Sequence, residues 1–187
     1  MNKQPEVRKR TKENLIEAFW KIYSKNMLYK ITIKEITEMA GYNRSTFYEY
    51  FTDINDLLEY AETKLIDEMI EYLENTIKNL DSKEVIVKAA KAYEHYGYYL
   101  SILLGSKGDP AFAGKYKRAI KPLLLKELNM NEDDPSADIL CEYSLGAIIS
   151  CIIYWYDNNK QFPAEQLASL LHTLLTKGIV TMLKNNE

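Results

Sequence analysis

Residues 32–51 read T-I-K-E-I-T-E-M-A-G-Y-N-R-S-T-F-Y-E-Y-F. Thr32 followed by Glu35 has capping-box spacing: the hydroxyl can accept from the amide of residue 35, and the Glu side chain can reach back to the amide of residue 32. Ile33, Ile36, Met39 and Ala40 then recur at helical spacing and predict one apolar face. Gly41 follows the last of them, where a helix C-terminus favours a positive φ. Asn43 is a good N-cap for a second helix, whose first turn holds Arg44, Ser45 and Thr46. Phe47 and Phe51 are four apart and point to a core. Tyr48 and Tyr50 flank the exposed side, with hydroxyls able to donate to phosphate oxygens. Two short helices joined by a Gly-containing turn, the second opening on polar residues, is the geometry that places a helix in the DNA major groove. The same spacing also fits two packed helices that never touch DNA.

Charge placement bears on that choice. The chain carries a formal net charge of −3, which argues against a general nucleic-acid binder. Residues 1–48, however, hold 10 Lys/Arg against 5 Asp/Glu, and residues 49–187 hold 14 against 22. A basic N-terminal segment on an acidic body suits a local DNA contact. Arg8, Lys9, Arg10 and Lys12 form the densest basic cluster, just ahead of the first helix; a solvated terminus would carry the same residues.

With 187 residues, 47% hydrophobic, seven Gly and five Pro, the chain can hold one sizeable core or two small ones. Its periodicities are nearly all helical. Leu57, Leu58, Ala61, Leu65, Met69, Leu73 and Ile77 predict one long helix from Asp53 to about residue 79. Asp81-Ser82 marks a break, and Val85 to Leu104 continues as a further helix. Ala111–Leu128 is a basic helix in which Pro122 predicts a kink, and residues 129–136 read as an acidic linker. Fifteen of the eighteen residues 139–156 are apolar, aromatic or Gly. This stretch is short for a membrane span, holds Glu142 and lacks a Lys/Arg anchor, so a helix buried on several sides is expected instead. Pro163 opens a last helix with Leu167, Leu171, Leu174 and Leu175 along one side.

Several function classes lack support. G-S-K-G-D-P at 105–110 has neither the spacing nor the preceding strand of a phosphate-binding loop. His95 and His172 stand apart with no metal-ligand spacing, so neither a metal nor a cofactor is expected. No nucleophile–base–acid grouping or G-x-S-x-G points to an enzyme. Cys141 and Cys151 are too few for a disulfide framework and would face roughly 80° apart on a helix; both are expected as reduced core residues. Residues 1–14 are charged throughout, unlike a signal peptide, and a cytoplasmic location is expected. Fifteen Tyr is unusually many. Tyr93, Tyr96, Tyr98 and Tyr99 cluster beside His95, which suits either a Tyr-rich core or a pocket for a small flat or cationic ligand. The candidate pocket residues are Tyr93, Tyr96, Leu100, Tyr143 and Trp155.

The first 60 or so residues resemble the N-terminal domain of the TetR family of transcriptional regulators. The resemblance runs through residues 11–26 as a first helix, I-T-I-K-E-I-T-E-M-A-G-Y as the second helix and turn, S-T-F-Y-E-Y-F and D-I-N-D-L-L. It implies that Thr32, Arg44, Ser45, Thr46, Tyr48 and Tyr50 face DNA, with Asn43, Arg8 and Lys9 as further candidates. One position departs: Ile54 stands where the family usually has a phosphate-reaching Lys. Asp53 can still cap that helix, leaving free amides that could take an anion. The resemblance also implies that the last two helices pair with their copies in a four-helix dimer interface, here Ile148, Ile152, Trp155, Leu167, Leu171 and Leu174. Two reading helices would then lie roughly 34–36 Å apart on palindromic operator DNA. Residues 139–175 resemble regulators of dihydroxyacetone kinase operons, a subgroup whose effector can be a protein, so a small-molecule or a protein effector is open.

The expectation is an all-α protein with a three-helix helix-turn-helix domain (residues 1–52) and a C-terminal helical bundle (53–187) for effector binding and dimerisation. Its expected function is that of a dimeric operator-binding regulator, a repressor that an effector releases by tilting the long helix. The alternative is a helical interaction module whose DNA binding is weak or lost.

Overall fold

The computed structural model describes residues 4–76, 82–127, 130–131 and 133–184. Ile77, Asp81 and parts of the 129–136 segment lie outside the described residues. The described chain is helical with no strand. In order it forms α1 (Gln4–Tyr23), a 3-10 turn (Leu28–Lys30), α2 (Ile33–Ala40), α3 (Arg44–Tyr48), α4 (Ile54–Thr76), α5 (Ser82–Leu104), α6 (Phe112–Glu127), α7 (Pro135–Asp157) and α8 (Ala164–Lys184). Two compact units result: Met1–Leu65 with Ser106–Gly108, and Ile66–Gly105 with Asp109–Glu187.

In the first unit, α1 lays Leu15, Ile16, Phe19, Trp20, Ile22 and Tyr23 into a core with Ile36, Phe47 and Phe51, all buried. Leu57, Leu58 and Ala61 on the first turns of α4 complete that core. The unit therefore runs past residue 52, where the sequence expectation ended the first domain. Helix α1 also begins earlier than residue 11. Pro5 sits in its first turn, where the missing N–H costs nothing, and Glu6 complements the dipole there. Within this helix the Thr11 hydroxyl donates back to the Val7 carbonyl at 2.9 Å. Arg8, Lys9 and Arg10 are thus exposed helical residues, not a loose terminus. On α2 the expected apolar face is narrower than periodicity implied. Met39 is 53% exposed, and Thr37 is buried in its stead, donating to the Ile33 and Lys34 carbonyls.

In the second unit, Ile152 and Trp155 of α7 pack with Ala90 of α5 and with Ala164, Leu167, Ala168 and Leu171 of α8 or its first turn. A smaller cluster joins Leu125 of α6 to Ala137 and Cys141 of α7. Cys141 is buried and Cys151 partly so, and burial raises both thiols. Lys121 pairs with Asp138 at 2.6 Å, and Lys117 with Glu142, between α6 and α7; such half-exposed pairs add little stability. Helix α6 runs through Pro122 as one element, and α8 is interrupted at Gly178, which takes φ 75°.

Helix α7 is long and apolar enough to cross a membrane by length and composition. Its stripe Ala137, Cys141, Leu145, Ile149, Ile152 and Trp155 is nevertheless buried in the core of this unit. The other side, which the resemblance assigns to a second subunit, is exposed in the single chain: Ile139, Tyr143 and Tyr154 are 71%, 61% and 66% exposed. Close packing of α5 on α7 depends on Gly97. A Cβ there would overlap the ring of Tyr156, whose hydroxyl donates to the Tyr93 and Glu94 carbonyls at 3.2 Å each. Gly97→Ala is expected to cost roughly 1–3 kcal/mol through overpacking. That exceeds the gain of about 0.5–1 kcal/mol from removing a helix-interior glycine. A denaturation midpoint at or above wild type would show that the ring swings aside freely.

Candidate nucleic-acid interface

The capping box at Thr32 forms in full. The Glu35 amide donates to the Thr32 hydroxyl at 3.2 Å, and the Thr32 amide and hydroxyl donate to the Glu35 carboxylate at 2.9 and 2.7 Å. These bonds, the hydroxyl's first, hold the Glu35 carboxyl below its ordinary range. A depressed folded-state pKa means the cap's contribution is present above the unfolded pKa and is lost as pH falls through the folded one. The box also spends the Thr32 hydroxyl proton on Glu35, so this side chain keeps no donor for a phosphate while the cap stands.

Gly41 ends α2 at φ 78°, a conformation that suits glycine, and the Tyr42 amide donates to the Thr37 carbonyl at 2.8 Å. The turn is then pinned to α1. Asn14 donates to the Tyr42 hydroxyl at 3.0 Å, and bonding to Thr11 and Asn14 lowers the phenol's pKa.

Helix α3 is five residues long and is held by Asn43. The Asn43 Oδ1 accepts from the Thr46 amide at 2.9 Å, the Ser45 hydroxyl at 2.6 Å and the Thr46 hydroxyl at 3.0 Å. Phe47 is fully buried, with its ring centroid 5.6 Å from that of Phe51. That anchor leaves Arg44, Ser45 and Tyr48 exposed and Thr46 and Tyr50 half-buried. Asn43, Arg44, Ser45, Thr46 and Tyr48 therefore come together on one short helix and its cap. Within the basic cluster Lys12 has another task. Its ammonium lies 3.3 Å from the Tyr60 ring centroid and 5.2 Å from that of Phe51.

The start of α4 carries the expected cap and one further bond. Asp53 caps it, accepting from the Asp56 amide at 2.9 Å, but the Thr52 amide donates to the Asp56 carboxylate at 2.7 Å. These amides are satisfied by the chain's own carboxylates, whose charge opposes a phosphate.

The residues proposed for a pocket do not line one space. Trp155 is 3% exposed in the core, with Nε1 donating to the Phe162 carbonyl at 2.8 Å, while Tyr143 faces outward. Tyr93 packs on the same core, and burial, with Cys151 second, pushes its phenol up to about 12. Leu100 is 2% exposed. Of them, Tyr96 borders a cleft of about 420 Å³ lined by Glu68, Glu71, Tyr72, Asn75 and Tyr96. Residues 68, 71, 72 and 75 share one helical face, a spacing from which this cleft wall could have been found. Likewise Ile152, Trp155, Leu167 and Leu171 fill the subunit's own core, and Ile148 packs against it. Leu174 is half-buried. Outward-facing apolar surface on α7 and α8 lies instead at Ile139, Leu140, Tyr143, Tyr154, Leu170 and Leu175.

A family model described as a transcriptional regulator C-terminal region, of the TetR type, matches residues 81–177. The HTH-type transcriptional regulator YxbF of Bacillus subtilis (strain 168) is 28% identical over 171 residues. That match covers 85% of this chain and 43% of YxbF, so the chain spans less than half the length of that relative. Among solved structures, the transcriptional regulator FadR from Bacillus subtilis, in complex with stearoyl-CoA, matches with a TM-score of 0.69 at 17% identity, over 89% of this chain and 98% of that one. The dihydroxyacetone kinase operon activator DhaS matches with a TM-score of 0.59 at 18% identity, over 94% and 97%. At these identities the structural likenesses speak for the fold alone. The family model covers more than half of the sequence, and the helix-turn-helix unit beside it is complete: the chain belongs to the TetR family of transcriptional regulators.

Proposed function

We propose that this chain is a homodimeric, operator-binding regulator, a repressor acting in the cytoplasm and released by an effector held in its second unit. The observation that carries the proposal is the Asn43-capped α3, which buries Phe47 and presents Arg44, Ser45 and Tyr48 outward on a segment with excess positive charge. Half-buried Thr46 and Tyr50 border the same surface, and exposed Arg8 and Lys9 add cations for the phosphate backbone. The exposed apolar side chains of α7 and α8 support pairing with a second copy. Tyr143 and Tyr154 are eleven residues apart, three turns of one face, and a monomer gains nothing by exposing them. An effector bound in the second unit would act by population shift, favouring a form in which the two reading helices no longer match two half-sites.

Two observations favour a second reading, a protein-holding regulator with weak DNA binding. They are Ile54 and the carboxylates that occupy the start of α4. Sedimentation of the chain with short duplexes from its own upstream region separates the two. Two chains per duplex are expected, and Tyr143→Asp with Tyr154→Asp is expected to yield monomers that bind DNA at least tenfold more weakly. A monomeric wild type, or a double variant that still pairs, would overturn the dimer proposal.

A further inference from the structure

The cleft of about 420 Å³ lies wholly in the second unit and within the size range of small-molecule sites, about 300–1,000 Å³. Helix α4 lines it with one face, Glu68, Glu71, Tyr72 and Asn75, and α5 supplies Tyr96. The rings of Tyr72 and Tyr96 meet at 71° with centroids 5.9 Å apart, so they form an aromatic corner and not a stack. Tyr96 is 7% exposed and Tyr72 half-buried, whereas Glu68, Glu71 and Asn75 are exposed. The inner part is thus aromatic and the rim acidic.

The two hydroxyls set what such a cleft can hold. The Tyr72 hydroxyl donates to the Lys88 carbonyl at 3.0 Å, and the Tyr96 hydroxyl donates to the Glu68 carbonyl at 3.2 Å. A phenol has one proton. With both protons directed into the backbone, these tyrosines offer a ligand ring surface and lone pairs. Among the described lining residues only the Asn75 amide donates, and none is Lys, Arg or His. The rim is felt inside: burial first, then Glu68, Tyr72 and Glu71, raises the Tyr96 phenol. An anion therefore meets no counter-charge here, and an uncharged apolar molecule leaves the rim unused. An alkylated ammonium ion uses both parts, its charge facing carboxylate and rings and its apolar body lying in the corner. We propose that this cleft binds an organic ammonium cation as the effector, with Tyr72 and Tyr96 as its aromatic walls and Glu71 as its counter-charge. The inference rests on the reading above that the second unit holds an effector, and it names the effector's chemical class.

The test uses three probes that share a phenyl ring and differ in charge. Benzyltrimethylammonium is the cation, tert-butyl phenyl carbinol its uncharged counterpart of nearly the same shape, and phenylacetate the anion. Each is titrated into the full chain while the tyrosine ring signals are followed by NMR. The cation is expected to shift the signals of Tyr72 and Tyr96 and to bind at least about fivefold more tightly than the carbinol, with no binding of phenylacetate. Glu71→Gln, at an exposed position, should weaken the cation roughly three- to tenfold and leave the carbinol unchanged. Tyr72→Leu should weaken it similarly, and Tyr72→Phe, which keeps the ring, should not. Glu74 is exposed on the same helix and does not line the cleft. Glu74→Gln should therefore change nothing, which separates a built site from the general acidity of α4.

Equal binding of the three probes would overturn the proposal. So would Glu74→Gln and Glu71→Gln proteins that lose the same affinity, or a cation that shifts neither Tyr72 nor Tyr96. A second arm measures DNA affinity with the cation at saturation, which is expected to fall at least about tenfold. Cation bound in the cleft with DNA affinity unchanged would overturn the effector role and leave the cation preference standing. A chain that selects no DNA even without the cation would overturn the operator-binding reading, and the NMR titration would still decide the cleft.

Discussion

Phe47→Ala is expected to lower the stability of the first unit by about 3–5 kcal/mol, the range for truncating a fully buried aromatic side chain. Phe47 is 0% exposed and lies against Phe51, which is itself 2% exposed and packs toward Tyr60 at 5.8 Å between centroids. Helix α3 has five residues, too few to hold its shape by backbone bonds alone. It stands because Asn43 closes its N-terminus and Phe47 anchors its inner side. Removing the ring leaves a cavity under the helix that carries the candidate reading residues, so DNA binding should fail together with stability. The two tryptophans make the measurement specific: Trp20 lies in the first unit's core and Trp155 in the second's. In denaturant, the Trp20 transition should move far below wild type while the Trp155 transition moves little. Tyr48→Ala, which truncates a ring 59% exposed on the same helix, should cost under about 1 kcal/mol. Equal losses for the two variants would contradict the assignment of inner and outer faces.

Arg44→Ala should weaken binding to the preferred duplex by about 1–3 kcal/mol, roughly five- to 150-fold, and relax sequence preference at one position of each half-site. Arg44 is exposed and lies in the first turn of α3, so the loss should come without a change in the Trp20 transition. Binding to unrelated DNA should change far less, because that term comes from phosphate neutralisation spread over several cations. Arg8→Ala with Lys9→Ala should do the converse: weaken all duplexes alike and flatten the salt dependence by about one unit for each phosphate no longer neutralised. A variant at Arg44 that weakens all duplexes equally would make it a backbone contact and leave base reading to its neighbours.

Much of the first unit was legible because its signals are local. The Thr32 and Glu35 box, the positive φ at Gly41, the Asn43 cap and the inward Phe47 each depend on residues within four positions of one another. What escaped sequence reasoning depends on distant partners. Periodicity marked Ile152, Trp155, Leu167 and Leu171 as an apolar face, but a face has no label saying whose surface covers it. Here α5, α7 and α8 of one chain close over these residues, and the exposed side chains lie elsewhere. The cleft at Glu68, Glu71, Tyr72, Asn75 and Tyr96 needs α4 and α5 side by side, with the Tyr96 hydroxyl donating to the Glu68 carbonyl at 3.2 Å. Nothing in the α5 segment alone points to that bond. The start of α1 lies ahead of residue 11, in a stretch of charged residues with no apolar periodicity to mark it as helical. At α4 the capping role of Asp53 is legible in the sequence, whereas the role of Asp56 is not. Its carboxylate takes the Thr52 amide.

The decisive measurement is the affinity of the full chain for DNA upstream of its own gene against a scrambled duplex of equal length, from about 50 to 200 mM salt. The expected result is preference for the upstream duplex by at least about a thousandfold, with affinity falling steeply as salt rises, and an Arg44→Ala protein that loses most of that preference. Equal affinity for the two duplexes, unaltered by salt and by Arg44→Ala, would contradict a DNA-reading role for this helix.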